Sequence, residues 1–387
     1  MRRAAVAVIG GGVMGASVAW HLAARGQRDI VVLDRAPAPG AGSTGRATGG
    51  FRAQFGTAVN VRLSLLAREK LLRFREETGV DPGYAPVGYL WLASGTAELA
   101  VLAAARAVQH AEGLKEAAEV TTSEIAALHP AIGLDGVIGG AFCPSDGFIR
   151  PLAILEGYLA AAERRGVRVE WGVEVGAMRR GAGGRITVVE TSGGPLAVDS
   201  VVNAAGPWAA GIAAMAGVSL PVTPLRRQIA VTVPCDRLPP DMPMTIWLGD
   251  GFHLRVRDGR VLLLRPTPGV PGRPFEASVD PGWVETVAAT ARARVPVLCD
   301  VAIEQAACTA GLYEMSPDKH AIPGLAPRCP NFYLINGSSG HGVMHAPALG
   351  QLLAELMCEG RALAMAVGEL DPARFARGAA NPASELL

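Results

Sequence analysis

Six consecutive apolar residues, Ala4 to Ile9, begin the hydrophobic pattern of the chain. An unbroken run of this length predicts a parallel strand buried on both faces, since a half-exposed strand would alternate. A helix follows, with Val18, Ala19 and Leu22 at inward spacing, and Gly26 stops it just after Arg25. Ile30 to Leu33 predicts a second strand that ends at Asp34. Apolar positions at helical spacing predict amphipathic helices over 61–77 and 97–112. Leu225 to Val233, which contains Arg226, Arg227 and Gln228, and Gly251 to Leu264 are strand-like. His253, Arg255 and Arg257 alternate in the second of these and so share one face. Pro-rich turns at 239–243 and 266–274 separate such segments. Near the end, Leu334-Ile335 closes a strand and Ala346 to Met357 predicts a helix.

This alternation predicts an α/β chain. At roughly 150 residues per domain, 387 residues make two or three compact units. Half the residues are hydrophobic and 18% are charged, which excludes intrinsic disorder. The 48 glycines are about 12% of the chain, against a usual share of about 7%. No Gly-X-Y period or low-complexity tract accounts for them, so they hold specific backbone positions. A net charge of +1 gives no electrostatic case for nucleic acid or an anionic membrane surface. The cysteines at 143, 235, 299, 308, 329 and 358 form no Cys-x-x-Cys pair and have no histidine at metal spacing. No metal site or disulfide framework is expected, and a cytoplasmic setting is the default. Residues 1–20 resemble a leader or part of a membrane span. Gly10, Gly11, Gly12 and Gly15 break that run, which leads into His21 and Arg25, so folded structure and no transmembrane segment are expected.

The glycines between the first two strands carry chemistry. Gly10, Gly12 and Gly15 satisfy G-x-G-x-x-G directly after a strand, and Asp34 lies nineteen residues beyond Gly15. Gly10 permits the tight turn, Gly12 lets the backbone approach a pyrophosphate, and Gly15 lets helix and strand pack closely. A carboxylate at the end of the second strand accepts hydrogen bonds from ribose hydroxyls. Strand, glycines, helix, strand and acid in this register specify a dinucleotide site of Rossmann type.

A second glycine-rich stretch, Pro39 to Arg52, follows at once and contains Ser43, Thr44, Arg46, Thr48, Gly49 and Gly50. Its amides and hydroxyls suit the phosphates and ring of a larger cofactor. This loop resembles the matching segment of the FAD-dependent D-amino-acid oxidase-like superfamily, in particular sarcosine oxidase, glycine oxidase and the flavin subunits of proline dehydrogenases. Val201 to Trp208, with Ala204, Gly206 and Trp208, is similar to the strand-to-helix turn of that family, and Val173-Glu174-Val175 to its adenine-side strand. Gly311 to Asp318 and Asn336 to Met344 resemble its two late segments around the isoalloxazine.

The resemblance implies non-covalent FAD in a discontinuous Rossmann-type domain over 1–83, 143–212 and 309–387. A substrate domain with a mixed or antiparallel sheet and helices would occupy 84–142 and 213–308. Expected cofactor contacts extend to Val13, Met14, Arg35, Val175, Gly311, Gly337, Gly340, His341, Gly342, Val343 and Met344. The N-terminus of the helix expected from Ala346, aimed at a flavin, would stabilise negative charge on a reduced ring.

The implied activity takes hydride from the carbon next to nitrogen in a small amino acid or N-alkyl amino acid, giving an imine. Sarcosine, proline and glycine are the type substrates. An arginine commonly grips such a carboxylate through paired hydrogen bonds. Arg52 falls on the arginine that does so in sarcosine oxidase-like enzymes, although a loop arginine bound to phosphate or to a surface acid is equally consistent; Arg255 is an alternate. His253 stands where relatives tend to carry an aromatic hydroxyl and suits a proton acceptor, with an ordinary sheet histidine as the plain alternative. His341 lies within the flavin motif. Met344 replaces a lysine of oxygen-using sarcosine oxidases, which favours a dehydrogenase with an unidentified electron acceptor. Gly311, Arg46 and Pro151 replace residues through which relatives attach flavin covalently. Two alternatives stay open: a 2-hydroxy-acid dehydrogenase, and a flavin subunit active only within a hetero-oligomeric electron-transfer complex.

Overall fold

The computed structural model describes residues 1–267, 269, 272–382 and 386, so the turn expected at 266–274 lies partly outside the described residues. β1 (Arg2–Ile9), α1 (Val13–Ala24) and β2 (Ile30–Asp34) form a parallel β-α-β unit, with Val8 in register with Val32. β1 starts two residues before its apolar run because Arg2 and Arg3 pair with Leu196 and Ala197 on the neighbouring strand. Alternate residues of β1 serve two cores, as a strand buried on both faces must. Val6 and Val8 join the core built around α1, whereas Ala7 and Ile9 join a second one with Ala209 and Ala213.

Among the described residues β1 lies inside a sheet with the order Ile322–Leu325, Phe332–Asn336, Gly194–Asn203, β1, β2, Arg168–Trp171. The pairings from Phe332–Asn336 to Arg168–Trp171 are parallel, and Ile322–Leu325 is antiparallel at the edge. Ile186–Thr191 and Val175–Arg180 extend it by antiparallel pairing from Gly194–Asn203. The expected strand at Val173–Val175 begins only at Val175, because the Val173 N–H is already bonded to the Asp34 carbonyl at 2.9 Å.

A second sheet runs Thr309–Met315, Thr223–Val231, Arg260–Leu264, His253–Arg257, Met244–Trp247, Tyr89–Ala93, Gly139–Cys143, Ala118–Val120. It is antiparallel apart from the parallel pairing of Met244–Trp247 with Tyr89–Ala93. The expected division placed everything from 309 onward with the cofactor sheet, yet Thr309–Met315 pairs along its whole length with Thr223–Val231. A motif shows what a strand touches and not which strands it pairs with. The run from Gly251 to Leu264 folds as a hairpin turned at Asp258 and Gly259, both at positive φ (51° and 71°), the conformation that an Asp-Gly pair favours.

Two contacts fix the parts that matter for the site. α1 packs against the helices Pro151–Glu163 and Gly342–Glu359, and it is buried from Val13 to Ala23. The Ser17 hydroxyl donates to the Ala346 carbonyl at 2.7 Å, and a Cβ on Gly350 would overlap that hydroxyl. A two-strand ribbon, Gly50–Phe51 with Gly147–Phe148, holds the segment that leads to Arg52. Among the described residues no helix is long and apolar enough to cross a membrane.

Candidate active site

A cavity of about 1220 Å³ is lined by residues of both sheets. At one end the Asp34 carboxylate accepts hydrogen bonds from the Gly11 N–H at 2.7 Å and the Ala36 N–H at 2.8 Å. The Arg35 guanidinium lies 4.2 Å above the Trp208 ring, and Phe275 stacks on the same ring at 5.9 Å. Next comes the N-terminus of α1. Gly12 caps it without a side-chain bond, and the first turn carries no acid. The Val13 N–H is met by the Thr44 hydroxyl at 3.2 Å. The Met14 N–H has no intrahelical partner, and Gly12, Val13 and Met14 line the cavity, so this helix start is suited to a phosphate. A Cβ on Gly12 would meet nothing nearer than that hydroxyl at 3.4 Å, so its face is open to a ligand.

The 41–50 loop forms the middle of the wall and is held from several sides. Ser43 donates to the Leu312 carbonyl at 2.6 Å, and Arg46 donates to the carbonyls of Ala41 and Gly42. Arg255 donates to the Thr48 and Gly49 carbonyls at 2.8 and 3.3 Å, and Arg257 to that of Ala47 at 3.2 Å. The shared strand face expected for 253, 255 and 257 thus grips the loop. Arg255 is engaged there and under the Phe148 ring at 3.4 Å, outside the cavity lining, so it does not offer a substrate clamp.

The Gly342–Glu359 helix presents a second N-terminus without a side-chain cap, four residues earlier than expected, with His341 at the cap position. Gly340, His341, Gly342, Val343 and Met344 line the cavity there. Around them stand Arg52, His253, Tyr89, Arg227, Tyr313 and Lys319.

Arg52 is buried. One terminal nitrogen donates to the Gln54 carbonyl at 2.6 Å, and its cation lies 4.0 Å over the Phe55 ring. Burial pulls its pKa down to about 10, so it keeps its charge at neutral pH. Its turn is fixed by Asp146, whose carboxylate accepts from the Ala53 and Gln54 N–H groups at 2.7 and 3.3 Å.

His253 Nδ1 pairs with the Gly251 carbonyl at 2.8 Å, which requires the proton on Nδ1 and leaves Nε2 as an acceptor. Burial, reinforced by Arg52 and Arg227 against the opposing Gly251 bond, lowers its pKa to about 4 and keeps the ring neutral. His341 lies with Nε2 3.2 Å from a terminal nitrogen of Arg52, a pure donor. Burial and that cation push its pKa well down, so it too is neutral.

Of the residues expected at the cofactor or the chemistry, all line the cavity except Gly15, Gly337 and the alternate clamp Arg255. A Cβ on Gly15 would overlap the Gly10 carbonyl oxygen, so its work is helix-to-strand packing. Gly337 has φ of 70° and abuts Ile322 and Ser316, serving the turn rather than the wall. Tyr89, Arg227 and Lys319 join the lining beyond the residues that the motifs indicate. Lys319 carried a signal, being one of three lysines and next to Ser316-Pro317-Asp318. Tyr89 and Arg227 carried none, because they reach the site only through long-range strand pairing.

The wall fits FAD. It offers two helix N-termini open to anionic groups, an acid for ribose, and a glycine face that a Cβ would fill.

Comparison with known proteins agrees. The family model for FAD dependent oxidoreductase matches residues 5–356. The chain is similar to glycine oxidase of Geobacillus kaustophilus (strain HTA426), 28% identical, covering 91% of this chain and 92% of that protein. It is similar to mitochondrial dimethylglycine dehydrogenase of Homo sapiens, 29% identical over 97% of this chain but only 45% of that protein. The chain therefore spans less than half the length of that relative, as it does of several other curated relatives. Its fold matches the crystal structure of L-proline dehydrogenase from P. horikoshii with a TM-score of 0.90 and 27% identity, covering 98% of this chain and all of that one. With the matched model spanning both sheets and every wall of the cavity, the chain belongs to the FAD-dependent oxidoreductase family.

Proposed function

We propose that the chain oxidises the C–N bond of a small amino acid or N-alkyl amino acid. The observation that carries this reading is the pairing, in one wall, of a buried cation at Arg52 with an unprotonated acceptor at His253. Arg52 suits the carboxylate, and His253 Nε2 can accept an N–H of the amine and hold it in place. Bound FAD would supply the hydride acceptor for the carbon beside nitrogen. The matched relatives include proteins named for glycine, dimethylglycine and proline, which supports this substrate class. The two glycine-rich segments with 143–212 and most of 309–387 serve as the cofactor part, and the second sheet as the substrate part.

FAD is held without a covalent bond. Among the described residues no cysteine lines the cavity, and Cys308 is turned to the Glu304 carbonyl. Electrons leave to an acceptor other than oxygen, for which the apolar, buried Met344 at the ring end is the support. Lys319 brings a cation into the same cavity, so the rate of oxygen reaction has to be measured against it. The described cysteines are all free thiols, which supports a reducing, cytoplasmic setting.

Anaerobic bleaching of the flavin with a panel of amino and 2-hydroxy acids tests the reading. Bleaching by an N-alkyl or simple amino acid with release of amine or imine product is expected. Bleaching by hydroxy acids alone would replace the substrate class. FAD binding without bleaching by any compound would make the chain one subunit of a larger electron-transfer assembly.

A further inference from the structure

Leu386 is 1% exposed and sits beside Arg52. Its carbonyl oxygen accepts from Arg52 Nη2 at 2.8 Å, and its side chain joins an apolar cluster with Tyr89, Trp91, Phe148, Met244 and Ile246. Tyr89, Met244 and Ile246 also line the cavity, so the cluster and the active site share a wall. The two terminal nitrogens of Arg52 are used differently. Nη1 is held by the Gln54 carbonyl within its own turn, whereas Nη2 turns to residue 386 and to His341.

Residue 386 thus shows Arg52 an oxygen and shows the wall an isobutyl group. Those are the two features of an aliphatic carboxylate. A carboxylate is the stronger partner, because a hydrogen bond charged on both sides exceeds one charged on the donor alone. The Leu386 carbonyl is therefore displaceable by such a ligand, and the space it vacates is shaped for a branched aliphatic group.

We propose that Arg52 and this apolar wall form a subsite for an amino acid with an aliphatic substituent about the size of leucine, and that Leu386 occupies it as a built-in competitor. The proposal rests on Arg52 being the carboxylate clamp. It deepens the proposed function by naming the kind of substituent the site takes.

The test titrates the FAD-loaded chain with 4-methylpentanoate, which carries a carboxylate and an isobutyl group, and with acetate. Binding is read from the absorption spectrum of the bound flavin. If Leu386 fills the subsite nine-tenths of the time, removing it multiplies the competent fraction about tenfold. Leu386→Ala should therefore bind 4-methylpentanoate about tenfold more tightly, and an unchanged or weaker affinity overturns the proposal. In the unaltered protein, saturating 4-methylpentanoate should speed amide hydrogen exchange in the peptide containing residue 386. No change, or slowing, overturns it without reliance on a variant. Arg52→Lys separates the two levels. Acetate affinity unaffected by Arg52→Lys defeats the clamp and the proposal together. Acetate weakened by Arg52→Lys, with no tightening in Leu386→Ala, defeats the competitor alone.

Discussion

Asp146 holds the Arg52 turn at a measurable cost in stability. It is fully buried, and burial raises its pKa to about 6 despite hydrogen bonds from Ala53 and Gln54 and the nearby Arg52. An aspartate in the unfolded chain titrates near 3.9. Between those values the folded state keeps the proton that the unfolded state has lost, so stability falls as pH rises through this window. A gap of about two pKa units at roughly 1.36 kcal/mol each is about 3 kcal/mol. For 387 residues with an unfolding entropy of about 2 cal/mol/K per residue, that is about 4 °C in melting temperature. Asp146→Asn cannot ionise and still offers one oxygen to the Ala53 N–H. The variant should melt close to the parent at pH 4 and about 4 °C above it at pH 7.5, read by thermal unfolding at matched FAD saturation. Its carboxylate affinity should weaken, because Gln54 loses its partner and the Arg52 turn loosens. A pH-independent difference, or a variant that melts lower at pH 7.5, would refute the claim that the ionised carboxylate is held at a cost.

Gly15→Ala puts a methyl into the Gly10 carbonyl and should cost about 1–3 kcal/mol together with loss of tightly bound FAD; retention of FAD on gel filtration would contradict it. His253→Phe should lower kcat/KM for an amine substrate about a hundredfold with FAD content unchanged. With the His253 pKa near 4, the activity profile between pH 5 and 8 should owe nothing to this ring, and a limb lost in His253→Phe there would show otherwise. Arg374 meets Asp318 at 2.8 and 3.0 Å in full burial, so Arg374→Leu leaves that carboxylate without its cation, though still hydrogen-bonded by Ser316, His320 and Asn381, and should cost about 3 kcal/mol in denaturant unfolding. A loss under about 1 kcal/mol would mean that water reaches Asp318.

The cofactor half was legible because its signals are local. Ala4–Ile9, the glycines at 10, 12 and 15, and Asp34 fall within one β-α-β unit, so spacing along the chain translates directly into geometry. The second sheet was not, because Tyr89 reaches the site through a parallel pairing with residues 244–247 and Arg227 through pairing with Gly311. Strand partners so far apart in sequence leave no periodicity to read. Asp146 is harder still. Its role lies in two backbone N–H groups more than ninety residues away, and a lone acid after Ser145 announces nothing of the kind. Asp258-Gly259 did carry a hairpin signal, which a single strand-like run from 251 to 264 obscured.

α1 and the Gly342–Glu359 helix meet at Ser17 and Gly350, and both begin at the cavity. Their contact makes them a calliper whose jaws are the two helix starts. The spacing of the two helix starts is gauged by a joint of small residues deep in the core. A cofactor entering such a frame has little backbone left to order, and preorganisation of that kind is where tight retention begins. Thickening the joint by a single methyl at position 350 would spread the jaws, and it would be felt at both ends of the cofactor at once.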